Sequence, residues 1–291
     1  MAAIRGVLTA MITPFDEAGR LDEDAARRLA RHLVAHGSHG LVVGGTTGES
    51  PTLSTDEVLR LLGAVRAEVA EEATIICGTG SNDTRHAAQL TMAVADAGAD
   101  AALVVTPYYN KPNRAGLRAH FGTVAEAAPE LPIVLYNIPS RVVVNLDPDL
   151  LAELASIDNV VAVKQANDDD LGPIEGLAIL AGNDNTFLRT LEFGGAGGVL
   201  VASHLVGDRM REIWEAAQAV DFERAREIDA ELQPVYEALT VTTNPIPVKA
   251  AMEMLGLDSG RMRLPMVPAD EAQRAAIRPA LEQAGLPAAA G

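Results

Sequence analysis

Short uninterrupted apolar runs recur along the chain, separated by longer stretches in which apolar and polar positions alternate with a helical period. The runs cover residues 6–12, 40–43, 74–77, 101–105, 133–136, 160–163, 178–181 and 198–202. A run that is apolar at every position, not at every second one, reads as a parallel strand covered on both faces. Residues 22–35, 56–71 and 84–97 read as amphipathic helices between them. Ser54 with Glu57 has the spacing of a capping box, and Ser81, Asp83 or Thr84 can cap the helix that follows. Eight strands alternating with helices is the count of an α/β protein of the (β/α)8 TIM-barrel class. The last two intervals between strands are short, so their helices are the weakest part of the pattern. From Asp221 onward only helical stretches occur, broken at Asn244-Pro245-Ile246-Pro247 and Leu264-Pro265-Met266-Val267-Pro268. The expected organisation is a catalytic barrel over residues 1–222 and a C-terminal helical domain over 223–291, with a frayed Ala-rich tail after Leu286.

Composition narrows the range of functions. Lys and Arg total 23 against 40 Asp and Glu, a net charge of −17. Such a chain repels phosphate backbones and anionic lipid, which excludes nucleic-acid and membrane-surface binding as a main role. Cys77 is the only cysteine, so no internal disulfide can form, as expected in a reducing compartment. Residues 1–13 lack a basic start followed by a long apolar core, and no uncharged run is long enough to span a bilayer. A soluble, cytoplasmic protein is expected. Only three of the basic residues are lysines, Lys111, Lys164 and Lys249. Arginine does not deprotonate in proteins, so amine chemistry must come from these three or from the N-terminus.

Barrel enzymes act at the C-terminal ends of their strands, so the residues following each run carry the chemistry. After the second run stands Gly44-Gly45-Thr46-Thr47-Gly48-Glu49-Ser50, where glycine lets a ligand approach the backbone and hydroxyls can hold a carboxylate. The same residues would equally serve as a polar loop capping the next helix. Thr106-Pro107-Tyr108-Tyr109-Asn110 follows the fourth run and Tyr136-Asn137-Ile138-Pro139-Ser140-Arg141 the fifth; three of the four tyrosines sit here. A phenol at a strand end can relay protons and an arginine can grip a carboxylate, or both can be plain surface residues. The sixth run ends in Lys164. Burial disfavours an ammonium, so its pKa should fall, and a neutral amine is what Schiff-base formation with a ketone requires. The alternative is a lysine that snorkels past the strand end. Lys111 and Lys249 fall in a polar loop and a helical segment and are weaker candidates. Asp168-Asp169-Asp170 reads as a solvated loop, since no histidine lies near it to complete a metal site. Gly194-Gly195-Ala196-Gly197-Gly198 precedes a strand and so reads as a tight turn on the opposite face. The histidines show no paired metal-binding spacing, with His32, His36 and His39 along one helix and its exit. Cys77 reads as a small core residue.

Taken together, the threonine loop, the two tyrosine loops, Val163-Lys164 and Asn244-Pro245-Ile246-Pro247-Val248-Lys249 resemble the dihydrodipicolinate synthase family of class I pyruvate-dependent aldolases and lyases, almost end to end. The resemblance implies a barrel with a C-terminal helical domain, assembled as a homotetramer. It implies that Lys164 forms an imine with pyruvate, with no separate cofactor and no metal. Tyr136 then corresponds to the proton shuttle, Thr47 to its hydrogen-bonded partner and Thr46 to the threonine that positions the relay. Tyr109 corresponds to a tyrosine donated across a dimer interface. Arg141 corresponds to the group that receives the carboxylate of L-aspartate 4-semialdehyde, the second substrate. Val199 falls where a backbone carbonyl faces pyruvate, and Gly182 where backbone lines the pocket. The run Gln165-Ala166-Asn167-Asp168 and His204 depart from the family pattern. Where lysine-sensitive members carry histidines and a glutamate, this chain has Thr55, Val58 and His86, so weak or absent lysine inhibition is expected. A sister activity, such as sialate lyase or a 2-keto-3-deoxy sugar acid aldolase or dehydratase, is disfavoured by the threonine pair and Arg141. A non-catalytic binding protein on the same scaffold would give no covalent adduct with pyruvate.

Overall fold

The computed structural model describes residues 4–286, in which eight parallel strands close into a barrel in chain order. They are β1 (Gly6–Ala10), β2 (Gly40–Val43), β3 (Thr74–Gly78), β4 (Ala101–Val105), β5 (Ile133–Asn137), β6 (Val160–Gln165), β7 (Ala178–Ala181) and β8 (Gly197–Leu200). Pairing of β8 with β1 closes the ring. Successive side chains of a strand point to opposite faces, and here both faces are buried. Leu8, Val42, Ile76, Leu103, Val134, Ala162, Leu180 and Val199 fill the barrel interior. Val7, Leu41, Ile75, Ala102, Leu135, Val163, Ile179 and Leu200 pack outward on the helices. That double burial is the reason each run is apolar throughout. The first and last predicted strands overran at the rim. Ile12 donates its N–H to the His204 ring, and Val201 and Ala202 donate theirs to Asp184, so side chains capture backbone that the sheet would otherwise pair.

Helices α1 (Glu23–Ala35), α2 (Thr55–Val69), α3 (Thr84–Asp96) and α4 (Arg114–Ala127) begin where their caps direct. The Asp22 side chain accepts from the Ala25 N–H, and Ser54 with Glu57 forms the reciprocal capping box. Of the three candidates before α3, Asp83 is the cap. After β5 come α5 (Pro139–Val142) and α6 (Pro148–Leu154). The short intervals that follow hold little helix. Only a 3-10 turn (Asp168–Asp170) joins β6 to β7, and between β7 and β8 stands the brief α7 (Phe187–Glu192), preceded by a 3-10 turn. Beyond β8 run α8 (Ser203–Gln218), α9 (Phe222–Ala238), α10 (Ile246–Met254) and α11 (Glu271–Gln283). α9 packs along α8 and against α7, at the side of the barrel where the crossovers are poorest in helix. The Ala-rich stretch after Leu286 lies outside the described residues. No helix among the described residues is long and apolar enough to cross a membrane.

Candidate active site

Strand parity and register place the central pair. Ala162 points into the barrel, so Lys164, two residues on, does too; Val134 places Tyr136 in the same way. The two are register partners on adjacent strands. Lys164 Nζ lies 4.3 Å from the centroid of the Tyr136 ring, and both residues are buried, at 5% and 4% exposure. The amine opens onto a cavity of about 570 Å³ at the C-terminal end of the strands. Among the described residues, the lysine found in an ion pair is Lys249, not Lys164.

Thr46, Thr47, Arg141 and Gly182 line the same cavity. Thr47 is almost fully buried, and its Oγ1 accepts from Asn244 Nδ2 at 2.9 Å. Arg141 is carried at the rim by α5, which is followed by its C-cap residue Val143 with φ of 70°, a strained value for a β-branched residue. Its Nη2 donates to the Asn244 carbonyl (3.0 Å) and to Thr243 Oγ1 (3.4 Å). At Gly182 a Cβ would stand 2.7 Å from the Gln165 carbonyl oxygen, so only glycine lets β7 leave the sheet this close to β6. Val199 is fully buried in the barrel interior, and the residue near the end of β8 that reaches the cavity wall is Val201. Tyr109 is apart from this group: it is 88% exposed, with φ of 74°, on the loop after β4.

Several cavity residues carried no signal of their own in the sequence. Asp184 reaches the cavity with Oδ1 accepting from Val201 N and Ala202 N at 2.9 and 3.0 Å; burial raises its pKa, and the two N–H donors oppose that rise. α9 supplies Gln233, Tyr236 and Glu237. Burial holds the Tyr236 phenol well above its ordinary value and pushes Asp229 up to about 6. Positions 229, 233 and 236 share one helical face by spacing, which is a readable pattern; that this face meets the barrel mouth is not. The aspartate run is corrected in part. Asp168 lines the cavity and accepts from Asn183, while Asp170 accepts from Asn145 and Asn167, so two of the three are bonded and half-buried and are not a solvated loop. No group of three metal-ligating side chains occurs among the described residues. The glycine-rich run does form the turn into β8, with Gly194 at φ of 88°.

Lys249 has a different task. It is fully buried in α10, and its Nζ contacts Glu49 Oε1 (2.6 Å) and the carbonyls of Thr13 (2.8 Å) and Arg261 (2.6 Å). All three ammonium protons are used, so this amine serves as a tie between segments. Burial lowers its pKa and Glu49 opposes the shift. His204 is neutral for the same physical reason: burial depresses its pKa to about 4, with Nδ1 bonded to the Val201 carbonyl and Nε2 accepting from Ile12 N. The Cys77 thiol, closed in the outer core, is pushed up to about 12. A second cavity of about 340 Å³ lies beside the first, lined among others by Ser50, Thr55, Val58, His86, Tyr108 and Arg141; its lining contains no carboxylate.

A recessed lysine at the catalytic end of a (β/α)8 barrel, flanked by a phenol, threonine hydroxyls and a guanidinium, defines a class I, amine-dependent lyase of the aldolase type. The profile of the Dihydrodipicolinate synthetase family matches residues 3–284, and the chain belongs to that family. It is 48% identical over 287 residues to the 4-hydroxy-tetrahydrodipicolinate synthase of Synechococcus elongatus, covering 96% of each chain. It is 51% identical over 278 residues to the enzyme of the same name from Synechococcus sp. strain WH7803, covering 93% of this chain and 92% of that one. Among solved structures, the Acinetobacter baumannii dihydrodipicolinate synthase complexed with pyruvate superposes with a TM-score of 0.93 at 37% identity, over 98% of this chain and 100% of that one. The Cyanidioschyzon merolae synthase with lysine bound gives 0.93 at 38% identity, over 97% and 98%.

Proposed function

We propose that this chain catalyses the 4-hydroxy-tetrahydrodipicolinate synthase reaction, joining pyruvate to L-aspartate 4-semialdehyde on Lys164. The Lys164 amine attacks the pyruvate ketone and water leaves, giving an imine. Loss of a methyl proton gives the enamine, whose carbon attacks the aldehyde while the aldehyde oxygen gains a proton. The amino group of the second substrate then attacks the imine carbon, the ring closes, and Lys164 departs as the free amine. No separate cofactor takes part, because the imine itself withdraws the electrons. Tyr136 and Thr47, both lining the cavity, pass protons to and from the reacting atoms; Thr46 positions them. Arg141 at the rim receives the carboxylate of the semialdehyde. Gly182 and the β8 backbone at Val199 border the pyruvate site.

The observation that carries this reading is the register pairing of Lys164 with Tyr136 beneath a cavity rimmed by Arg141. Tyr109, exposed and outside the lining of its own cavity, supports a relay completed by a second copy of the chain, and the assembly we propose is a homotetramer working in the cytoplasm. The test is borohydride reduction in the presence of pyruvate followed by peptide mapping. The expected result is a single reduced adduct on Lys164. An adduct on Lys111 or Lys249, or none, would overturn the mechanism.

A further inference from the structure

The outer face of β5 ends in a polar residue where the positions before it are apolar. Ile133 and Leu135 pack outward, and so by alternation does Asn137, which is fully buried and borders neither cavity. A buried amide is costly unless its donors and acceptor are met. Here a later turn of the chain meets them. Asn137 Oδ1 accepts from the Leu146 N–H at 3.0 Å, and Nδ2 donates to the Leu146 carbonyl at 3.2 Å. The side-chain amide thus pairs with both backbone groups of Leu146, as a peptide unit of a neighbouring strand would. Nδ2 also lies 2.8 Å from Asn145 Oδ1 and 3.0 Å from Gln165 Oε1. Asn145 extends the anchorage by donating to Asp170, and Asn167 donates to the same carboxylate at 2.9 Å. The ends of β5 and β6, the 3-10 turn after β6 and residues 145–146 therefore form one network.

Between the two anchored points runs the loop of residues 138–144, which holds α5 and with it Arg141. Nine positions separate Asn137 from Leu146, and the amide closes them into a ring. The closure holds a loop that contains Val143 at φ of 70°, a conformation the residue would not keep by itself. We infer that Asn137 is a positioning residue for the second substrate: its amide closes the loop that carries Arg141 and so fixes where the carboxylate of the aldehyde is received. The inference deepens the proposed function and rests on its assignment of Arg141. Asn137 lies outside the cavity lining and acts only through the backbone it ties.

The test is steady-state kinetics of the native protein, Asn137→Ala, Asn145→Ala, Arg141→Ala and the double variant of Asn137→Ala with Arg141→Ala. Asn137→Ala should raise KM for L-aspartate 4-semialdehyde about tenfold, the scale of lost neutral hydrogen bonds. KM for pyruvate and the borohydride-trapped adduct on Lys164 should stay native, a split that a general loss of packing would not give. In the Arg141→Ala background the same change should add nothing, because both changes remove one interaction. Asn145→Ala, at a half-buried position, should raise the same KM about threefold, and it decides the matter if Asn137→Ala does not fold. A parallel rise in both KM values, losses that multiply in the double variant, or an unchanged KM for the semialdehyde in the folded variants would overturn the inference and leave the role of Arg141 standing. A native KM for the semialdehyde in Arg141→Ala would remove that role, and the inference with it.

Discussion

A lysine and an arginine carry the same charge, yet only one can become a nucleophile. Lys164→Arg preserves a cation at the base of the cavity and removes the imine, so turnover should fall by orders of magnitude while the circular dichroism and melting curve stay native. Appreciable retained activity in a steady-state assay would count against Lys164. His204 makes a prediction about stability instead. Its folded pKa of about 4 lies below the unfolded value of 6.5, so as pH falls through that window the unfolded chain binds the proton first and the fold weakens. The buried neutral ring should cost about 2 kcal/mol between pH 7 and pH 5, and the loss should level off below about pH 4. His120, also depressed to about 4 by burial, adds to the same slope. Urea titrations at the two pH values should give a shallower pH dependence in His204→Gln; an unchanged slope would place the acid sensitivity elsewhere. Lys164 was legible in the sequence because a charged amine is costly to bury, and one that closes a wholly apolar strand stands out from its surroundings. His204 was visible only as a departure from a pattern, since nothing local says that its ring bridges the ends of β1 and β8.

Segments that are distant in the chain hold the threonine loop in shape. Glu49, in a left-handed conformation at φ of 56°, accepts from Lys249 through Oε1 and from the Arg263 N–H through Oε2. Thr13 donates to the Gly48 carbonyl at 2.6 Å, and Asn244 reaches Thr47. The first turn of α10 and the loop after it thus clamp the threonine loop. Lys249→Met would leave the Glu49 carboxylate buried without its cation, which should cost about 3–5 kcal/mol in urea unfolding. Pairing it with Glu49→Gln should recover part of that loss, because the stranded charge is removed; no recovery would mean that packing, not charge, decides the cost. The two motifs that meet here were each readable in the sequence. Their contact spans about 200 positions, and separation of that kind leaves no periodicity to read. The helices of the sixth and seventh intervals show the reverse case: short intervals forecast weak helices, and two 3-10 turns and one brief helix are what they hold.

At the scale of the whole molecule, Tyr109 decides whether one chain suffices. The proposed relay takes Lys164 from one copy and Tyr109 from a second, so two impaired variants should repair each other. Lys164→Arg and Tyr109→Phe, unfolded and refolded as an equal mixture, should regain about one quarter of native turnover, the share of intact sites in random isologous pairs. Recovery no greater than the sum of the separate variants would confine the site to a single chain. The second cavity makes a further prediction. It presents Thr55, Val58 and His86 and no carboxylate to an incoming ammonium, so lysine should inhibit weakly or not at all; potent inhibition at sub-millimolar lysine would contradict this. Eight short apolar runs alternating with helical stretches specified the barrel class, because parallel strands buried on both faces are apolar at every position and their crossovers are helices. Which parity of a run faces the barrel interior, and so that Lys164 and Tyr136 face it, was decided by the closed barrel, because a run apolar at every position does not distinguish its two faces. Only the tertiary structure brought α9 to the mouth, set Asn244 against Thr47 and buried Lys249 on Glu49. Those contacts depend on how a helical segment docks on a finished barrel, and docking is governed by shape and unmatched polar groups that exist only once the strands have closed.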